Sequence, residues 1–161
     1  MTIQELQLRG FFKWELFDKN GKLKDSGSIK NGIVTQGKNS LLDSQFRAQT
    51  QITAWYTGLI DNSGWTAESA SDTLSSHSGW SEFTSYTGNR IQWSPGAASS
   101  GSITNSSTMD FAITGTGTIK GIFICSASSG TSGTLWSTAD FPSTIAVANG
   151  DTLKVTYTLN A

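Results

Sequence analysis

The sequence predicts an all-β protein, a β-sandwich with jelly roll as its leading version, carrying an N-terminal hairpin and one short helix. Three observations carry that expectation. About seven to nine short runs of alternating or β-branched residues succeed one another, Gly, Asn and Ser turn signals separate them closely, and only one segment has helical periodicity. At 161 residues the chain reads as a single domain over 1–161, large enough to bury its own core. Charged residues make up 14%, well under the usual quarter, yet 11% aromatic content is not that of a disordered chain. Such a balance suits a turn-rich β protein, or one whose surface is partly covered by partners.

The first element is Phe11–Asp18, which sets Phe12, Trp14 and Leu16 on one face and Lys13, Glu15 and Phe17 on the other. Asn20-Gly21 follows as a type I′ hairpin signal, because both central positions of that turn need positive φ. Lys22–Ile29 is the returning strand. Asn31-Gly32 makes a second turn, with Ile33-Val34 after it. Thr35–Ala48 is the one helix: Leu41, Leu42 and Phe46 form an apolar stripe, Asn39 or Ser40 caps its start, and the stripe is expected to cover an open end or one face of a sheet.

Ile52–Trp93 holds four of the six tryptophans, Trp55, Trp65, Trp80 and Trp93, together with the only histidine. Ile52–Ile60 reads as a buried strand closed by an Asp-Asn-Ser-Gly turn. The rest is too polar for a core strand and too aromatic to be free in solvent, so it reads as an ordered loop pinned by Trp65, Trp80 and Trp93. Ser94–Ser107, built of small polar residues, is expected to be a surface connector. Strands are then expected at Asp110–Thr114, Thr118–Cys125, a short Thr134–Trp136 and Asp151–Leu159, with Pro142 at an edge or in a loop.

The net charge of −1 hides an asymmetry. Residues 1–50 hold eight basic and five acidic groups, a balance of +3, and the remainder hold three and seven, a balance of −4. Opposite halves favour packing of unlike surfaces within the chain or between copies. A +3 segment interrupted by acids is weak support for nucleic-acid binding. One cysteine, Cys125, cannot form an internal disulfide and reads as a buried thiol. The N-terminus has no hydrophobic core of a signal peptide and no run is long enough to span a membrane, which points to synthesis in a reducing cytoplasm without export by the common route.

No reaction chemistry is legible. His77 is the only imidazole, so it reads as a loop residue bonding backbone near Trp80 in place of a catalytic or metal-ligating group, and one histidine with one distant cysteine makes no zinc site. No G-x-S-x-G surrounds a serine, and Gly115-Thr116-Gly117 lacks the Lys and helix of a phosphate cradle. Asp61, Glu68, Asp72 and Glu82 lie close in sequence, as a glycosidase or calcium site would need, but only geometry tests that. The tryptophans admit three roles: filling the core, anchoring a protein interface, or stacking on sugar rings.

Taken in order, the hairpin KWELFDKNGKLKDSGSIKN, the helix GKNSLLDSQF, and ITAWYTGLIDNSGWT, SDTLSSHSGWSEFTSY, NRIQWSPGAASSGSITNSS and NGDTLKVTYTLNA resemble small structural proteins of tailed bacteriophages over about residues 10–160. The resemblance implies a virion component on the capsid exterior, a cement or decoration protein that stabilises the head, with no catalytic residue, cofactor or metal. Its implied partners are the major capsid protein and further copies of itself as a dimer or trimer, with no nucleic acid and no membrane. Tail-fibre placement, as a receptor-binding module recognising host-surface carbohydrate through Trp65, Trp80 and their neighbours, is the alternative. The expected contact residues are Arg9, Lys13, Lys22 and Lys24, facing an acidic capsid surface, and Trp65, Trp80 and Trp93. Residues 1–9 lie outside the resemblance and are a candidate docking arm.

Overall fold

The computed structural model describes residues 7–161. Most of the candidate docking arm, residues 1–6, falls outside them, and its last member, Arg9, opens a strand. The elements run β1 (Arg9–Phe17), β2 (Leu23–Lys30), β3 (Gly32–Ile33), α1 (Thr35–Phe46), β4 (Trp55–Asp61), β5 (Ser81–Phe83), β6 (Ile91–Trp93), β7 (Ser102–Thr104), β8 (Met109–Ala112), β9 (Gly117–Cys125), β10 (Leu135–Val147) and β11 (Thr152–Asn160). All pairings are antiparallel and fall into two sheets, so the expected β-sandwich is what forms.

The first sheet runs β2-β1-β11, and its far edge is split, with β7 and β8 pairing successive parts of β11. The second runs β3-β10-β9-β4, again with a split edge, β5 and β6 sharing β4. First and last strands lie side by side over their whole length, Arg9 opposite Asn160 and Phe17 opposite Thr152. The hairpins β1–β2 and β9–β10 each stay within one sheet.

The alternation read from sequence does what period-2 sequences do. Phe12, Trp14 and Leu16 point inward beside Leu153, Val155 and Tyr157. Across the gap they meet Leu59, Ile122, Ile124, Trp136 and Phe141 from the second sheet. Strands β4 and β9 are continuous apolar runs because the second sheet is buried on both faces. Its outer side holds a smaller core of Val34, Ile60, Leu74, Trp80, Phe123, Cys125 and Leu135. Cys125 is a buried free thiol, as its sequence setting suggests.

One hydroxyl ties the layers together. Tyr157 on β11 reaches across to accept hydrogen bonds from Trp136 Nε1 on β10 at 3.0 Å and from Asn31 Nδ2, where the chain passes between sheets, at 2.9 Å. Its ring packs on Phe12 and Trp93, with centroids 4.6 and 5.3 Å apart. Burial raises the tyrosine's pKa, which keeps the neutral hydroxyl in place.

Several local expectations are corrected. At the hairpin only Gly21 has positive φ, 79°. Asp18 Oδ1 accepts from the amides of Asn20 and Lys22 at 2.8 and 2.9 Å, which favours a turn with a following bulge over type I′. Paired positive φ occurs instead at Ser100 and Gly101, between the mutually bonded Ser99 and Ser102. The supposed connector Ser94–Ser107 therefore contains a tight turn and strand β7. Two short strands, β5 and β6, lie in what reads as loop, and β10 is 13 residues long where three were expected. Pro142 sits within β10, at the irregularity between Asp140 and Ile145, where no ladder bond from its nitrogen is needed.

Helix α1 starts at Val34 with no side-chain cap, so neither Asn39 nor Ser40 serves. Its first turn is stitched down instead: Gln36 Oε1 accepts from Leu74 N and Leu135 N, and Gly37 lies so close to Trp136 that a Cβ there would be 2.5 Å from its carbonyl oxygen. That contact fixes which face looks inward. The apolar stripe faces out, with Leu41, Leu42 and Phe46 at 40%, 53% and 77% exposure.

Replacing Tyr157 by Phe keeps the ring and removes the shared acceptor, leaving the buried Trp136 donor without a partner. Urea denaturation should show a loss of about 2 kcal/mol or more, with an unchanged m-value.

Candidate functional site

The residues singled out in the sequence fall in three places. The basic group does not converge. Arg9 opens β1 and Lys22 lies in the turn past its other end, and the strand at the usual rise per residue is about 25–30 Å long. Arg9 bonds to Gln7. Lys13 is exposed on the outer face of the first sheet, where Glu15 and the Lys154–Asp110 pair also stand. Lys24 is committed to Asp151 at 2.6 Å.

Trp65 and Trp80 belong to residues 62–80, which fold over the outer face of the second sheet. Trp80 is buried, with Nε1 bonded to Asp72 Oδ2 at 2.9 Å and its ring between His77, stacked at 3.8 Å, and Phe123 at 5.1 Å. His77 Nδ1 meets the Trp80 carbonyl at 3.1 Å, the backbone-bonding role its sequence setting suggests. Gly79 is required here because a Cβ would run into the Ala67 carbonyl. Trp65 is half-buried, bonded through Nε1 to Glu68 at 2.8 Å, and Lys120 Nζ sits 4.3 Å from its ring centre. These two tryptophans pin the loop, as expected; Trp80 is enclosed by His77 and Phe123, and Trp65 carries Lys120 on one face. Trp93 is not in a loop at all: it sits in β6, 8% exposed, within the main core.

The acidic residues are spoken for in the same way. Asp61 closes its turn by accepting from Ser63 N at 2.7 Å. Asp72 also accepts from Ser69 N. Glu82 forms a two-pronged pair with the buried Arg90, at 2.9 and 2.7 Å, and Arg90 in turn holds the carbonyls of Ala127 and Gly130. Asp61, Asp72 and Glu82 are thus each held by bonds within the fold. No cluster of three or more His, Cys, Asp or Glu suited to a metal occurs among the described residues. One unusual group remains: Glu68, pushed up to about 7 by burial first and by the neighbouring Asp140 carboxyl, against the opposing pull of the Trp65 indole.

The surface concavity that stands out was not foreseen. It opens at one end of the sandwich, between α1, residues 51–55 and β7, with a volume of about 530 Å3. Trp55, Trp93, Trp136 and Tyr157 line it, and none of its lining residues is charged. Trp55 rests on Trp136 with centroids 5.7 Å apart. Trp55 and Trp136 lie about 80 residues apart in sequence, so no local signal could have joined them. The only hint was a tryptophan at the start of a buried strand.

Residues 32–158 match the family model of the podophage GP4 fiber I protein gp80. The chain belongs to this family. No curated protein matches it. The gp80 match spans both sheets from β3 to most of β11 and starts after the β1–β2 hairpin. It makes the chain a bacteriophage virion structural protein, as the resemblance implied, and it corrects the emphasis: the gp80 family is a fibre family, which favours the fibre alternative over the capsid cement.

Glu68 gives a pH signature. Its folded pKa lies above its ordinary value of 4.5, so its contribution is present at low pH and is lost as pH rises towards about 7. Thermal melts of the wild type should show a higher Tm at pH 5 than at pH 8, and Glu68→Gln should flatten that slope.

Proposed function

We propose that the protein is a non-enzymatic module of a podophage fibre, which meets the host surface and recognises carbohydrate there. The family match carries this reading. A supporting feature is the uncharged, aromatic-lined cleft at one end of the sandwich, since ligand sites favour concave apolar surfaces of a few hundred Å3 with a few polar groups. The engagement of Asp61, Asp72 and Glu82 in structural bonds supports a binding role without turnover. Glycan recognition through Trp65 and Trp80 is replaced in this reading by recognition at the cleft. The major capsid protein gives way, as partner, to other fibre components.

Further copies of the chain remain the proposed partner. Leu41, Leu42 and Phe46 form an exposed apolar row on a helix whose opposite side is anchored, and a contiguous row of this kind costs solubility unless something covers it. Fibres are built from symmetric repeats of a subunit, so a second copy fits that row best.

Antibody labelling of intact particles should mark fibres, and the purified protein should bind host cells less after periodate oxidation of their glycans. Label spread over the head lattice, with a raised melting temperature of emptied capsids on adding the protein, would restore the cement reading. In sedimentation, Phe46→Ser should shift the protein towards monomer by about tenfold in dissociation constant, leaving its melting transition in place.

A further inference from the structure

We infer that the cleft at the end of the sandwich is a subsite for one neutral pyranose ring of a glycan. The inference rests on the fibre reading and names the ligand chemistry of that site. Its floor is aromatic: Trp55 and Trp136 offer ring surface, and Trp55, unlike the other two tryptophans of the lining, is only half-buried. A pyranose carries a flat patch of C–H bonds that packs on such a surface, and a rim of hydroxyls that needs polar partners. Polar partners stand at the rim: the side chains of Ser40, Gln51 and Thr53 line the cleft, and none of them hydrogen-bonds within the described residues.

The lining also contains an unused donor. Trp93 is 8% exposed, and its Nε1 is buried without an acceptor. An unpaired buried donor costs about 1–3 kcal/mol. A hydroxyl or acetamido oxygen seated against the floor is an acceptor of the kind that Nε1 lacks. Charge narrows the class. A uronic or sialic acid would bring a carboxylate into a cleft that holds no cation, and an amino sugar would bring an ammonium group where there is no carboxylate. Neutral hexoses, deoxyhexoses and N-acetylhexosamines remain, the last group adding a methyl that suits the apolar wall.

The test is a titration of the full chain with glucose, galactose, rhamnose, N-acetylglucosamine and N-acetylgalactosamine, and with their disaccharides. Glucuronate and sialic acid serve as charged controls. Tryptophan fluorescence and ligand-observed NMR supply the readouts. At least one neutral saccharide should bind more tightly than about 10 mM, with both acids at least tenfold weaker. Trp55→Ala should weaken binding at least tenfold. Gln51→Ala with Thr53→Ala, both exposed and outside the core, should weaken it severalfold with an unchanged melting temperature, so the result does not hang on one aromatic substitution. Absence of binding across the neutral panel, equal binding by the rim variant, or preference for the acids would overturn the subsite. So would a finding that Trp55→Ala changes self-association and no sugar affinity, which would mean that a second copy fills the cleft. Fibre labelling with no sugar binding overturns the subsite alone; labelling of the head lattice overturns the fibre reading beneath it.

Discussion

The Tyr157 hydroxyl is the constraint on which the arrangement of the two layers turns. A sandwich gains most of its stability from apolar burial, which is non-directional and tolerates sliding of one sheet over the other. A buried hydroxyl that accepts from Trp136 on the opposite sheet and from Asn31 at the crossover does not tolerate it. Gly10 belongs to the same knot, because a side chain there would collide with the Tyr157 hydroxyl and with Asn31. Tyr157, Trp93 and Trp136 all line the cleft, so the groups that set the register of the sheets also shape the concave surface.

The second sheet gains a further role by being covered twice. Its inner face completes the main core, and its outer face carries residues 62–80, held by the Asp72–Trp80 bond, the stitches from Gln36, and the His77 stack. Beside this cover Arg90 joins β5 to the segment after β9 through Glu82, Ala127 and Gly130. Such a buried pair adds little net stability compared with apolar residues of the same size, but its many fixed bonds specify one path for the loops. A polar segment studded with tryptophans is thereby made rigid, and its aromatic rings are spent on the fold.

Much of the architecture was legible because period-2 alternation is a local property. FFKWELF and DTLKVTYTL declare which side is buried, while their pairing as neighbours was left to the structure. The continuous apolar runs GIFIC and TGLI marked strands, and TGLI a buried one. What failed did so for equally local reasons. Asp18, counted as the end of a strand, in fact governs its turn through two amide bonds. The stretch LWSTADFPSTIAV is broken by polar residues and a proline, and only the continuous ladder from β9, with its irregularity at Pro142, makes it one strand. The stripe Leu41, Leu42, Phe46 looked like a buried face, but Gly37 lets the other side of the helix sit against Trp136.

By itself the sequence determined the all-β class, the hairpin at its start, the inward faces of β1 and β11 and the absence of a legible catalytic motif. Those features depend on residues within a few positions of one another, and elementary sterics and hydrophobicity fix them. Only the tertiary structure decided which tryptophans are core, which carboxylates are occupied, which face of the helix is bare, and that Trp55, Trp93 and Trp136 meet around one cleft. Each of these depends on residues brought together from distant segments by the closing of the two sheets, and no local pattern encodes that meeting.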